Sequence, residues 1–89
     1  MIEKKLEIIN KLGLHARAAA KLTHTTSRFA SDIKISKADR QVDGKSIMSV
    51  MMLAASKGTE LKFNIEGEDE QAAMDAVEVL INNRFDEDE

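Results

Sequence analysis

Ile2, Leu6 and Ile8 alternate with Glu3, Lys5 and Glu7 near the start of the chain, the period of a strand with one buried face. Gly13 interrupts that pattern, and from Ala16 to about Phe29 it becomes helical, with Ala19, Leu22, Thr26 and Phe29 on one inward face. Period two returns at Ile33 and Ile35, set against Asp32, Lys34 and Ser36. Lys37-Ala38-Asp39 reads as a turn into a short strand, Arg40 to Asp43, that carries Val42. The two strands form a hairpin, although the turn lacks an Asn-Gly signal. Gly44-Lys45-Ser46 breaks the chain, with Ser46 a good N-cap for a short helix predicted from Ile47 to Ala55 and stopped at Lys57-Gly58. Leu61, Phe63 and Ile65 against Glu60, Lys62, Asn64 and Glu66 make the clearest strand. Gly67 turns the chain, and Asp69 is placed to cap a last helix with acidic Glu70 in its first turn and Ala73, Ala76, Val77 and Leu80 facing inward. The acidic run Asp86 to Glu89 reads as a frayed tail.

The predicted order is β-α-β-β-α-β-α. Strands that alternate need one covered face, so the expected fold class is α+β. It is a two-layer open-faced sandwich, a four-stranded antiparallel sheet with three helices on one face. A chain of 89 residues has room for one such domain, 1–89.

Composition narrows the function classes. A hydrophobic share of 43% allows a real core. Three Phe, no Trp and no Tyr leave no stacking platform for single-stranded nucleic acid, and a formal net charge of −3 also disfavours nucleic acid, including an RNA-binding α+β domain. Without cysteine there is neither a disulfide framework nor a thiolate zinc site. Met1-Ile2-Glu3-Lys4-Lys5 has no long apolar run behind it, so the start is not read as a secretory signal, and no stretch approaches the roughly 20 apolar residues of a membrane span. A cytoplasmic protein is the expectation.

Chemistry concentrates at Asn10-Lys11-Leu12-Gly13-Leu14-His15-Ala16-Arg17, which puts one histidine directly before a helix. Helix N-termini gather unpaired N–H groups and partial positive charge, so they hold anions. Gly13 permits a tight strand-to-helix turn, Arg17 supplies a cationic fork suited to phosphate oxygens, and the first-turn amides of Ala16, Arg17 and Ala18 complete a phosphate cradle. On its own, a histidine in this position is more often a cap or a surface residue without chemistry. His24, nine residues on, falls about 180° around the helix from His15 and reads as solvated surface. Two histidines pointing apart leave no metal site. Gly44-Lys45-Ser46 looks like the tail of a phosphate-binding loop, but Asp39 stands where that loop needs its first glycine, so a nucleotide site is rejected. The helix from Ile47 to Ala55 is apolar on nearly every side, with only Ser49 clearly polar. It is either wholly buried or partly an exposed patch for partners, and its methionines favour the second.

Leu12-Gly13-Leu14-His15-Ala16-Arg17, Ala19-Ala20-Lys21-Leu22 and Lys45-Ser46-Ile47-Met48 together resemble the two signature regions of the HPr family. These are the histidine phosphocarriers of the bacterial phosphoenolpyruvate:sugar phosphotransferase system. The likeness runs from about Lys4 to Phe85 and includes the Lys57-Gly58 turn. It implies that His15 takes a phosphoryl group on Nδ1 from the phosphohistidine of enzyme I and passes it to a histidine of an enzyme IIA domain. On the same grounds Arg17 steadies the phosphate, Ser46 matches a serine modified by an HPr kinase/phosphorylase in some bacteria, and Ile47, Met48 and Met51 match the partner-contact patch. The implied protein is a monomeric, stoichiometric carrier rather than a turnover enzyme, and needs no cofactor. Two departures stand out. Ala18 occupies a position where most members have proline, which keeps the helix but adds a backbone donor near the site. Phe85-Asp86-Glu87-Asp88 is similar to the end of NPr, the nitrogen-related branch, so sugar uptake and a regulatory relay both stay open. The competing reading from the residues alone is a small α+β regulatory domain that binds an anion at His15 without covalent phosphorylation.

Overall fold

The alternating segments pair as strands. In the computed structural model, which describes residues 1–88, β1 (Ile2–Glu7), β2 (Asp32–Lys37), β3 (Arg40–Asp43) and β4 (Glu60–Glu66) form one antiparallel sheet in the order β1-β4-β2-β3. The last strand therefore lies between the first two, with Leu61 opposite Leu6 on one side and Phe63 opposite Ile35 on the other. Such pairing lines up the apolar residues on one face. Lys4 falls on that same face at the sheet edge, where it stays exposed and its Nζ donates to Glu78 at 2.8 Å. On the opposite face Ser36, opposite Lys62, is buried rather than solvated as the alternation implies.

The apolar face is covered by α1 (Ala16–Thr26), α2 (Ile47–Met51) and α3 (Glu70–Asn82). One core joins them to the sheet: Leu22, Val50, Met74, Val77 and Ile81 meet Ile8, Ile33, Ile35, Leu61, Phe63 and Ile65. The four-stranded antiparallel sandwich with three helices is the fold the hydrophobic pattern implies. Its boundaries differ. α1 ends at Thr26 and not at Phe29, because beyond Ser27 the Arg28 and Phe29 N–H groups reach the carbonyls only three residues back, Thr25 and Thr26, both at 3.2 Å, so the α-helical ladder gives way to tighter turns. Phe29 is only partly buried.

Further corrections concern the later helices. α2 has five residues and stops at Met51 instead of Ala55. Ala54 adopts a left-handed φ of 51°, and Gly58 serves the turn into β4, donating its N–H to the Ile8 carbonyl at 2.7 Å. Asp69 stands at the N-cap of α3 but makes no cap bond. Its carboxylate instead accepts from Ala30 N–H at 2.8 Å, Ser31 N–H at 3.0 Å and the Ser31 hydroxyl. These bonds hold the Asp69 carboxyl below its ordinary value, the Ser31 hydroxyl contributing most. The buried stripe of α3 includes Met74 and Ile81, while Ala76 and Leu80 are half-buried. An element absent from the sequence reading follows α3. Arg84, Phe85 and Asp86 form a turn with φ of 56°, 54° and 64°, and Phe85 is fully buried.

Candidate functional site

β1 delivers the chain to Asn10, whose fully buried amide donates to the Gly13 carbonyl at 2.8 Å and closes the turn before α1. Gly13 is needed there on two grounds. Its φ is 69°, and a Cβ would come within 2.7 Å of the Ala55 carbonyl oxygen. Leu14 then donates its N–H to that carbonyl at 2.8 Å, which ties the turn to the segment after α2.

This path leaves His15 as the N-cap of α1. Its Nδ1 accepts the Arg17 N–H at 3.3 Å, and its backbone carbonyl accepts from Ala19 N–H at 2.8 Å. An acceptor nitrogen carries no proton, so in the neutral ring the hydrogen sits on Nε2 and the Nδ1 lone pair faces the helix amides. Nε2 meets the Glu87 carboxylate. The other Glu87 oxygen accepts from the Asn10 amide at 3.0 Å. The His15 bond is the main reason that the Glu87 carboxyl lies below its ordinary value, with Asn10 aiding and burial opposing. An open cleft of about 670 Å³ surrounds the ring, lined by Lys11, Leu12, His15, Ala16, Arg17, Glu87 and Asp88.

The site residues read from the sequence separate into two groups. His15 and the Ala16, Arg17 and Ala18 amides come together at the start of α1, where Arg17 is exposed and Ala18 buried. Ser46 caps α2, accepting the Ser49 N–H at 3.3 Å. Ile47, Met48 and Met51 are 38%, 67% and 37% exposed while Val50 faces the core, so the apolar helix is a surface patch and not wholly buried. Leu12 and Met52 are exposed as well. His24 is solvent-exposed. Among the described residues no three His, Cys, Asp or Glu converge to hold a metal ion, and no helix is long and apolar enough to cross a membrane.

Asn10 and Glu87 are the site residues that the sequence reading missed. The run Asp86 to Glu89, expected to fray, is held through Glu87. Asn83 Nδ2 bonds Asp86 at 2.9 Å, Lys21 Nζ donates to the Phe85 carbonyl at 2.9 Å, and Glu87 sits on His15. Glu89 lies outside the described residues. An asparagine that follows a strand and precedes a glycine turn was the one available signal for Asn10. No local pattern marks Glu87, which stands 72 residues from its partner.

An open-faced sandwich with a helix-capping histidine beside an exposed apolar helix is the arrangement of a small phosphocarrier domain. The family of the PTS HPr component phosphorylation site matches residues 2–83. The chain is 56% identical over 89 residues to the phosphocarrier protein HPr of Cupriavidus necator, with 100% of both chains covered. The crystal structure of HPr-C-His from Thermoanaerobacter tengcongensis superposes with a TM-score of 0.96 at 44% identity, again covering 100% of both chains. The chain belongs to the HPr family and is a phosphocarrier of the phosphotransferase system, whose members work with components such as enzyme I and enzyme IIA. An anion-binding domain that is never phosphorylated has no support among these relatives. A crystal structure described as an HPr dimer from T. tengcongensis also matches, with a TM-score of 0.79, 45% identity, and coverage of 98% of this chain and 100% of that one.

Proposed function

We propose that His15 is the phosphoryl acceptor, taking the group on Nδ1 from the phosphohistidine of enzyme I and passing it to a histidine of an enzyme IIA domain. The observation that carries this is the Arg17 N–H on Nδ1, which aims the ring lone pair at the start of α1. At 3.3 Å that bond is long and readily exchanged, so the amide is free to turn to a phosphate oxygen once the N–P bond forms. The first-turn N–H groups of Ala16 and Ala18 and the Arg17 guanidinium supply further donors. Ile47, Met48 and Met51 form the contact surface for both partners, and Ser46 is a regulatory site open to an HPr kinase/phosphorylase. The carrier acts as a cytoplasmic monomer.

The test is incubation with enzyme I and phosphoenolpyruvate. A mass increase of about 80 Da, one phosphoryl group, is expected on the parent and none on His15→Ala with an intact fold. The adduct should be acid-labile and base-stable, as a phosphoramidate is. Phosphorylation of the alanine variant at the parent rate would overturn the assignment. Sedimentation of the parent at increasing concentration decides the monomer.

A further inference from the structure

The contact between Glu87 and His15 is built from both sides. Glu87 is only 17% exposed in its side chain, one oxygen is occupied by the buried Asn10 amide, and the other faces Nε2. Asn10 is itself pinned by the Gly13 carbonyl, so asparagine, glutamate and histidine form a chain that ends at the reacting ring. This is the layout in which a carboxylate orients a histidine and selects its tautomer. Around it stand the cations Arg17, Lys11 and, through Asp86, Lys21, and the anion Asp88.

We propose that Glu87 is a positioning residue of phosphoryl transfer, its carboxylate accepting the Nε2–H of His15 so that the Nδ1 lone pair is always the nucleophile, and keeping that proton on Nε2 while the phosphoryl group is carried. The proposal rests on the reading of His15 given above. On arrival, the Nδ1 lone pair forms the new N–P bond as the N–P bond of the donor phosphohistidine breaks. The electron pair of the broken bond returns to the donor ring, and Nε2–H is untouched. The phosphorylated ring then carries positive charge, offset by Glu87. A ring protonated on Nε2 is the better leaving group when the phosphoryl group moves on. The lowered Glu87 carboxyl fits this role, since it stays ionised at neutral pH.

The experiment is nitrogen NMR of the histidine-labelled full chain at about pH 9, where an imidazole is neutral. The parent should show His15 as the Nε2–H tautomer. Glu87→Ala should raise the Nδ1–H share about tenfold, as expected for the loss of a hydrogen bond to a charged group. Glu87→Gln, whose amide oxygen still accepts, should stay close to the parent, and exposed His24 should not change in either variant. Phosphorylation by enzyme I and phosphoenolpyruvate should slow about tenfold in Glu87→Ala and less in Glu87→Gln. An unchanged His15 tautomer in Glu87→Ala overturns the proposal, as does an unchanged transfer rate. A parent that takes up no phosphate at His15 overturns the functional reading and with it the transfer role. The tautomer comparison needs no phosphate and decides the contact separately.

Discussion

The Arg17 guanidinium lies exposed in the first turn of α1 and, among the described residues, pairs with no carboxylate. A cation at the positive end of a helix is unfavourable there, so the proposed phosphate contact, rather than folding, is where Arg17 should matter. Arg17→Glu should leave the melting temperature unchanged or slightly raised. It should slow phosphoryl transfer at least tenfold, about 1.4 kcal/mol of barrier. Stopped-flow transfer from enzyme I and thermal unfolding check the two halves, and an equal rate would show that the helix amides suffice. His15 and Arg17 were legible because a histidine before a helix and an arginine two residues on follow from chain order alone. Glu87 was not, because its role depends on a turn that brings it back across the fold, and an acidic run reads locally as solvated.

At the scale of the elements, α2 shows where local pattern stops being informative. Its start was legible from Ser46. Its end was not, because the cap comes from another part of the chain. Lys37 Nζ donates to the Leu53 and Ala54 carbonyls at 3.0 and 3.3 Å, and Arg40 reaches the Met52 carbonyl at 3.4 Å. Two side chains of the β2–β3 hairpin thus satisfy carbonyls just beyond the end of α2 that the helix leaves without partners. Ser46→Asp should fold at least as well as the parent, since a negative charge suits a helix N-terminus. It should also slow transfer from enzyme I, because that charge must be desolvated beside Ile47 and Met48 when a partner docks. Met48→Lys should weaken partner binding in titration calorimetry at nearly constant melting temperature, as its 67% exposure requires. Asp69 gives a pH signature of the α3 start. Its carboxyl is lowered from the ordinary 3.8, so the stabilisation it brings is full above that value and is lost as pH falls through the folded value below it. Asp69→Asn should melt lower than the parent at neutral pH, and the gap should close as pH drops below 3.8.

Across the whole molecule, the turn at Arg84, Phe85 and Asp86 couples the core to the site. Three left-handed residues in a row are costly for L-amino acids, about 1–2 kcal/mol each. Phe85, fully buried against the rest of the core, is what holds them there, together with the Lys21 bond to its carbonyl. Phe85→Ala should destabilise by about 3–5 kcal/mol in urea unfolding. In the fraction that remains folded, the His15 tautomer should shift as it does in Glu87→Ala. Phe85→Leu, which still fills the core, should keep the parent His15 tautomer while losing part of the stability.

Glu87 hangs two residues from that buried ring. With at most about 3.6 Å of chain per residue, it cannot stray far from His15 even when a partner pushes it aside. A carboxylate on so short a tether meets the imidazole at an effective concentration in the millimolar range or above, whatever the concentration of the protein. Its return after a partner departs needs no refolding and no diffusional search, only a loop movement on the nanosecond-to-microsecond scale. With His15 as the proposed acceptor, the carrier would thus reset its own nucleophile between one encounter and the next.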